Sequence, residues 1–321
     1  MSNYTNEQKH DMLYEMILIR RFEETVEKLF QEGKIHGTMH LCIGQEATAV
    51  GACAPLTIED KITSNHRGHG HSIAKGTEIK GMMAELLGKE TGYCKGKGGS
   101  MHIADLNVGN LGANGIVAAG LPLGTGAALA SQMKKENYVV LCFFGDGSTN
   151  EGAFHEALNL ASVWDLPMVF FCENNLYGMS GSIKEMVNVE HIADRAAAYG
   201  IPGHTIDGND VLEVARVTEE AVNRAKNGEG PTLIEAETYR WRGHSRSDAR
   251  KYRSRDEEKD WRKNRDPIAS FKGRLMEEGI LTEEQFTEIT NRIEEEIAEA
   301  VKFAEDSPEP GLDTLTNDIY A

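Results

Sequence analysis

The chain has 321 residues, and its 34 Lys and Arg against 51 Asp and Glu give a formal net charge of -17. Apolar residues make up 40% and charged residues 26%, which is enough to build a core and excludes disorder as a description of the whole chain. The negative charge argues against nucleic-acid binding, and the longest wholly apolar or aromatic run, residues 138–144, is too short to cross a membrane.

The N-terminal residues lack the apolar run and cleavage site of a secretory signal, so we expect a cytoplasmic protein. The five cysteines are odd in number and form no Cys-x-x-Cys pair. This pattern predicts buried, reduced thiols rather than disulfides or a zinc site.

The first predicted element is an amphipathic helix over residues 5–32, with a capping box of Thr5 and Gln8 and an end at Gly33. From about residue 60 to 240, apolar runs alternate with helical patterns, which predicts a parallel sheet with right-handed crossovers. Strands are expected at 138–144, 167–172 and 232–238, and helices at 150–164 and 210–227.

Residues 240–265 hold 11 of the 34 basic residues without clear periodicity, which predicts an exposed loop after a strand. Isoleucines recur every four residues in 282–305 and predict a second long amphipathic helix. The predicted fold is therefore α/β, with helices on both faces of a parallel sheet. We expect an N-terminal helical segment at 1–55, an α/β core at 56–245, and a charged loop with C-terminal helices at 246–321.

Polar side chains follow two neighbouring predicted strands. Asp146, between Gly145 and Gly147, follows the first strand, and Asn175 follows the next, 175 − 146 = 29 positions later. Because a right-handed crossover brings the carboxyl ends of both strands to one edge of the sheet, these side chains are expected to converge. Carboxylate and amide oxygens, with a loop carbonyl, suit Mg²⁺, and the glycines let the backbone approach a diphosphate.

A Gly-Asp-Gly triplet alone is usually an ordinary turn. Followed by a helix and a strand ending in Asn-Asn, it resembles the thiamine-diphosphate fingerprint. The motifs at 40–47, 65–71, 96–102, 112–117 and 242–245 resemble the α subunit of the E1 component of 2-oxo acid and acetoin dehydrogenase complexes, and the resemblance covers about residues 8–310. The resemblance implies a thiamine-diphosphate-binding fold.

The resemblance also assigns site residues. It implies that Mg²⁺ is held by Asp146, Asn175 and the carbonyl of Tyr177, and that His40 and His244 lie close to the reacting atoms. Arg67 matches an arginine that grips the diphosphate, and its neighbour His66 stands where pyruvate-type chains often have Tyr. The residues predicted to bind the cofactor are Arg67, Gly115, Val117, Gly145, Asp146, Gly147, Ser148, Asn175, Arg240 and His244.

Four further histidines are expected to serve buried polar networks. They are His69, His71, His102 and His155, and this interpretation is favoured for His102 and His155. The glycine-rich stretch 109–126 fits either a subunit interface or tight internal packing.

The resemblance implies an α₂β₂ assembly in which an E1 β subunit completes the active site. Acetoin would be cleaved to acetaldehyde and a hydroxyethyl unit that passes to a lipoyl group on an E2 acyltransferase. The alternative is oxidative decarboxylation of pyruvate or a branched-chain 2-oxo acid. The segments 66–71, 101–105 and 247–252 favour acetoin, with Ala249 where pyruvate-type chains commonly have Pro.

Two other classes fit less well. A nicotinamide-dependent dehydrogenase would require Gly-x-Gly-x-x-Gly, and the segment at Gly124 and Gly126 lacks the third glycine. A non-catalytic interaction subunit would be expected to have lost Asp146, Asn175 or His244, and all three are present.

Overall fold

A five-stranded parallel sheet forms the centre of the molecule, in the strand order β1-β2-β3-β7-β6. The computed structural model describes residues 4–317 and 319. The strands are β1 (Lys61–Thr63), β2 (Val140–Gly145), β3 (Met168–Asn174), β4 (Tyr177–Gly178), β5 (Gly181–Ser182), β6 (Gly203–Asp207) and β7 (Thr232–Glu237). Strands β4 and β5 form a separate antiparallel hairpin directly after β3.

Helices cover both faces of this sheet and extend beyond it at either end of the chain. The helices are α1 (Asn6–Gln31), α2 (Glu46–Cys53), α3 (His69–Ala74), α4 (Ile79–Leu86), α5 (Gly120–Lys134), α6 (Gly152–Val163), α7 (Ile183–Met186), α8 (Val211–Lys226), α9 (Arg255–Asn264), α10 (Pro267–Glu277) and α11 (Glu283–Asp306). Within the described part of the chain, no helix is long and apolar enough to cross a membrane.

The side chains of β3 alternate between two cores, as expected for a sheet covered on both faces. Phe170 packs with the residues of α5 and α6 on one side, and Phe171 packs with those of α8 on the other. The predicted α/β fold, with strands at 138–144, 167–172 and 232–238, is therefore confirmed.

A third buried cluster joins the two ends of the chain, because α1 packs against α10 and α11. The predicted capping box at the start of α1 is present: Thr5 N–H donates to Gln8 Oε1 at 2.9 Å, and Gln8 N–H donates to Thr5 Oγ1 at 3.2 Å. The divisions of the chain at residues 55 and 245 stay predictions.

The charged segment 240–265 differs from its prediction as an exposed loop. Its residues 255–264 form helix α9, and Arg240 and Arg253 are almost completely buried. Arg253 donates to the carbonyl oxygens of Arg240 at 2.8 Å and Arg242 at 2.9 Å. These charges therefore hold the backbone after β7 in place, and only part of the segment is a solvated surface.

The loop between α4 and α5 is organised by one buried carboxylate. Glu85 accepts hydrogen bonds from the backbone N–H groups of Cys94 and Gly98 at 2.8 Å and of Gly96 and Gly99 at 2.9 Å. Because four donors converge on one side chain, a single residue of α4 fixes the whole turn.

Parts of the glycine-rich stretch 109–126 pack closely inside this chain, whereas Ile116, Val117 and Leu123 are exposed, so both interpretations of the stretch stay open. A Cβ on Gly109 would lie 2.4 Å from the carbonyl oxygen of Asp60, and one on Gly124 would lie 2.9 Å from Met168. The cysteines are all free, as predicted, although Cys94 is only half-buried.

Candidate cofactor and metal site

A cavity of about 350 Å³ lies at the carboxyl ends of β2 and β3, where ligand sites of parallel sheets are found. The loop after β1, the turn after β2, the β4–β5 hairpin and the segment after β7 form its walls. Predicted site residues that line it are Arg67, Val117, Gly145, Asp146, Gly147, Ser148, Asn175, Tyr177, Arg240 and His244. Residues 29 positions apart in sequence are thus brought to one edge of the sheet, as the crossover rule predicts.

Two buried oxygen atoms in this cavity have no hydrogen-bond partner among the described residues. They are Oδ2 of Asp146 and Oδ1 of Asn175, and the two residues are only 2% and 7% exposed. A buried, unpaired polar atom is costly, so such atoms indicate a missing ligand. A carboxylate oxygen and an amide oxygen that lack partners in one cavity fit a hard divalent cation such as Mg²⁺.

The electrostatics of Asp146 agree with that fit. Burial raises the pKa of Asp146 to about 6, although the positive charge of Arg240 and the backbone N–H of Asn175 partly oppose this increase. A cation beside the carboxylate would favour its charged form. The carbonyl of Tyr177, the third predicted ligand, accepts a hydrogen bond from Arg240 Nη1 at 3.0 Å.

The backbone of the site requires small residues. Residues 146–150 form a short 3₁₀ turn at the end of β2, and this turn touches the β4–β5 hairpin. A Cβ on Gly147 would lie 3.2 Å from the Cα of Gly178, so a larger residue would push the two segments apart. The close approach keeps Asp146 beside the segment that contains Asn175 and Tyr177.

Two buried arginines place positive charge in the wall. Arg67 donates to the carbonyl oxygens of Leu41 at 2.6 Å and His244 at 3.2 Å. Arg240 donates to Met179 O at 2.7 Å as well as to Tyr177 O, and its Nε has no partner among the described residues. Burial lowers the pKa of Arg67 to about 10, which leaves it charged at neutral pH. Neither arginine forms an ion pair among the described residues, so both guanidinium groups can interact with a bound anion.

Three histidines lie together beside the arginines. The ring centroids of His40 and His66 are 4.6 Å apart, those of His40 and His244 are 5.0 Å apart, and those of His66 and His244 are 5.3 Å apart. Burial and the charge of Arg67 lower the pKa of His244 to about 4 and that of His40 to about 3. The imidazoles of His40 and His244 are therefore neutral at physiological pH.

His40 and Gly115 do not form part of the cavity wall in the described chain. His40 lies behind His66 and His244 and contacts both rings. Gly115 is exposed and lies beside Met101 and His102, whereas its neighbour Val117 does line the cavity. A role for Gly115 in cofactor binding stays a prediction.

The histidines of the buried polar networks are not the two favoured by the sequence. His102 and His155 are exposed, so the interpretation of these two as buried network residues was wrong. His69 and His71 are 1% exposed. His69 contacts Glu23 at 3.0 Å and Ser100 at 2.9 Å.

The second network reaches the cavity, and its acidic member, Glu173, was not predicted from the sequence. His71 contacts Ser64 Oγ at 2.8 Å and Glu173 at 3.1 Å, and Thr48 also donates to Glu173. Ser64 and Glu173 both line the cavity. The available signal was an acidic residue inside the apolar strand β3, directly before Asn174 and Asn175.

The parallel sheet and this site define a class of protein: an α/β protein with a site for an anionic ligand at the carboxyl edge of its sheet. The sequence model of a family described as "Dehydrogenase E1 component" matches residues 14–313. The chain belongs to this family, which confirms the resemblance found in the sequence. The family's enzymes are oxidoreductases, and membership implies the use of thiamine diphosphate.

Characterised relatives match nearly the whole chain. The α subunit of acetoin:2,6-dichlorophenolindophenol oxidoreductase from Bacillus subtilis is 51% identical over 98% of this chain and 94% of its own length. The subunit of the same name from Cupriavidus necator is 45% identical over 95% of this chain and 92% of its own. The α subunit of the pyruvate dehydrogenase E1 component from Rhizobium meliloti is 42% identical over 95% of this chain and 88% of its own length.

Proposed function

We propose that this chain is the α subunit of a thiamine-diphosphate-dependent E1 component that cleaves acetoin. The observation that carries the proposal is the pair of buried, unpartnered oxygens of Asp146 and Asn175 in a cavity lined by two buried arginines. The identities to two relatives named for acetoin support the choice of substrate. His66, where pyruvate-type chains often have Tyr, supports it from within the site.

In this proposal, Asp146, Asn175 and the carbonyl of Tyr177 hold Mg²⁺, and Arg67 and Arg240 bind the diphosphate. When bound, thiamine diphosphate supplies a carbon nucleophile and an electron sink. Gly145, Gly147 and Ser148 let the backbone approach the phosphates, and Gly115 and Val117 lie against the aminopyrimidine ring. The arrangement is supported by the charges of the wall and by the narrow gap between Gly147 and Gly178.

His244 is the proposed acid–base residue, and His40 supports it. Nδ1 of His244 is buried and has no partner among the described residues, so it is free to exchange a proton. Since burial keeps the ring neutral, it can accept a proton from the substrate hydroxyl and return one to a carbonyl oxygen. The hydrogen bond from Arg67 to the carbonyl of His244 fixes the backbone at this position.

The rim of the cavity is apolar and exposed, which supports an incomplete site. Ile116 is 73% exposed, Met179 is 66% exposed and Met186 is 57% exposed. Exposed apolar groups around a polar site are typical of a surface covered by another subunit. We propose that the E1 β subunit covers this rim in an α₂β₂ assembly in the cytoplasm, and that a lipoyl-bearing E2 accepts the product.

The decisive experiment measures reduction of an electron-accepting dye by this chain purified with its β subunit. Acetoin and pyruvate are compared by kcat/KM, with and without thiamine diphosphate and Mg²⁺. Faster turnover of acetoin is expected. A preference for pyruvate or a branched-chain 2-oxo acid would replace the substrate while retaining the cofactor, and dye reduction that needs neither cofactor nor metal would refute the proposal.

A further inference from the structure

A second cavity, of about 380 Å³, lies between α1, α3, α4 and α11 and shares no lining residue with the cavity at the edge of the sheet. Part of its wall is apolar, since it includes Leu18, which is 8% exposed, and Ile73, which is 5% exposed. Four charged lining residues are acidic and one is basic: Glu15, Glu78, Glu296, Glu299 and Lys80. The cavity therefore combines an apolar surface with an excess of negative charge.

Two of these carboxylates have cationic partners and two do not. Glu299 pairs with Lys80 at 3.0 Å, and Glu296 pairs with an arginine of its own helix at 2.8 Å. Glu15 and Glu78 form no ion pair and no side-chain hydrogen bond among the residues that the structure describes. Because Glu15 is partly buried, its charge is incompletely solvated, and a cation in the cavity would stabilise it.

A buried hydroxyl group in the same wall also lacks a partner. Thr77 lines the cavity and is 3% exposed, and its Oγ1 makes no hydrogen bond within the described part of the chain. A buried hydroxyl without a hydrogen bond is costly, and its oxygen can accept a bond from an N–H donor. This observation does not depend on the acidic residues, and it indicates a donor that the chain itself does not supply.

We propose that this cavity binds an alkylammonium group, either of a small amine or of a lysine side chain. The ammonium lies against the carboxylate of Glu15 and the hydroxyl of Thr77, and the carbon chain lies against Leu18 and Ile73. An ammonium has three donors and no acceptor, so it matches a wall in which the unpartnered groups are acceptors. The site is separate from the proposed cofactor and metal site and does not depend on the substrate.

An inorganic cation matches the cavity less well. Mg²⁺ and Ca²⁺ take six or more oxygen ligands, whereas only the carboxylates of Glu15 and Glu78 are without a partner here. Leu18 and Ile73 provide no ligand for a metal ion, but they stabilise a carbon chain that leaves water. The apolar wall therefore favours an organic cation.

The protonation of Glu15 gives binding a specific pH dependence. Burial and the nearby charge of Asp11 raise the pKa of Glu15 to about 7. An ammonium favours the charged carboxylate, so affinity should rise about tenfold between about pH 6 and pH 8, where this carboxyl loses its proton. The charged and titratable groups around Glu15 are Asp11, Tyr14, Cys53, Glu78, Lys80, Arg292, Glu296 and Glu299.

The test is a calorimetric titration of n-butylamine at pH 8 into this chain purified with its β subunit, with methylamine as the comparison. Each buried methylene should raise the affinity roughly fourfold, so butylamine should bind at least about tenfold more tightly than methylamine. Nα-acetyl-lysine amide carries the same ammonium chain on a peptide unit. If it binds as tightly as butylamine, the ligand is a lysine side chain, and if it binds more weakly, the ligand is a small amine.

Single substitutions test the residues of the wall. Glu15→Gln should lower the affinity for butylamine at least about tenfold and abolish its rise with pH. Thr77→Val removes only the hydroxyl and should lower the affinity without lowering the thermal stability, since an unpartnered polar atom is lost. The matched control is Glu288→Gln, at an exposed glutamate of α11 outside the cavity, which should bind as wild type does.

Several results would overturn the proposal. Equal affinity for butylamine and methylamine would show that the apolar wall does not contribute and that the amines bind only as ions at an acidic surface. Equal losses in Glu15→Gln and Glu288→Gln, an unchanged affinity in Glu15→Gln, or no binding of butylamine at all would each contradict it as well.

Discussion

Two groups of buried polar residues differ in how well their hydrogen bonds are satisfied within the described chain. In one, Glu23 accepts from Cys42 N–H at 2.8 Å and contacts His69, which also contacts Ser100. In the other, Asp146, Asn175, His40 and His244 each bury an atom that has no described partner. The first group has its partners within the chain, and the second awaits partners from outside it.

The presence or absence of hydrogen-bond partners separates structural from functional residues without comparison to related proteins. A satisfied buried network stabilises the fold, since breaking it leaves a charge without compensation. An unsatisfied cluster costs stability and is retained where it binds something. Substitution in the satisfied network should therefore lower the stability of the fold, whereas substitution in the unsatisfied cluster should weaken ligand binding or catalysis.

The largest expected effect is on the satisfied network. Glu23→Ala should lower the free energy of unfolding by about 3–5 kcal/mol, because His69 and the N–H of Cys42 lose their shared acceptor. Urea denaturation measures this loss. Glu24→Ala is the control: Glu24 pairs with Arg21 at the surface, and its loss should cost less than about 1 kcal/mol. Similar losses in both variants would contradict the comparison.

Removal of the Asp146 carboxylate should weaken cofactor binding rather than lower the stability of the fold. Asp146→Ala should weaken Mg²⁺-dependent binding of thiamine diphosphate at least about a hundredfold, because a direct ligand contributes more than an outer-shell partner, whose loss costs about 10–100-fold. The ligand-free chain should be no less stable than wild type, because a buried atom without a partner is removed. Isothermal calorimetry and thermal denaturation measure the two effects. An unchanged affinity would show that Asp146 does not bind the metal.

Substitution of His244 should separate catalysis from binding. His244→Ala should lower kcat in the reconstituted enzyme about a hundredfold, the lower end of what a general acid–base group contributes, and leave cofactor affinity unchanged. His155→Ala, at an exposed histidine outside the cavity wall, is the control and should retain full activity. Full activity of His244→Ala would remove this residue from the catalytic machinery.

The acid limit of stability should depend on Glu23. Burial alone would raise the pKa of Glu23, but His69 and the N–H of Cys42 hold it below its usual value of 4.5. A group with a lowered folded-state pKa stabilises the protein above its unfolded-state pKa, and this contribution is lost as pH falls through the folded value. Stability should therefore decrease below about pH 4.5, by at most about 1.4 kcal/mol per pH unit for this group.

Glu23→Gln tests the origin of that acid dependence. The variant should be less stable at neutral pH and should show a shallower fall between about pH 4.5 and 3. Denaturation curves across this range measure the slope. If the slope of the variant equals that of wild type, other carboxylates determine the acid limit.

Much of the fold could be predicted from the sequence because its signals are local. The capping boxes of Thr5 and Thr282 and the cap at Asp210 define the starts of α1, α11 and α8. The convergence of Asp146 and Asn175 follows from one rule about crossovers. The other site residues, such as Arg67, Arg240 and His244, were predicted from the resemblance to the family.

What the sequence did not predict depends on distant partners. His155 was expected in a buried network but lies on the exposed side of α6, whereas His69, expected in such a network as well, is buried beside Glu23, 46 positions away. Helix α9 has no buried residue and hence no apolar stripe to detect, and pairs such as Arg262 with Glu258 at 2.8 Å support it instead. No local sequence pattern distinguishes the buried His69 from the exposed His155 or marks α9 as a helix.

The carboxylate of Glu85 affects how the loop between α4 and α5 opens to solvent. Because the amides of Cys94, Gly96, Gly98 and Gly99 share this one acceptor, the loop cannot release them one by one without leaving the same buried charge poorly compensated. Their amide protons should exchange with solvent together, with one opening free energy. The turn from α4 toward the cavity therefore forms a cooperative unit whose order depends on a single side chain.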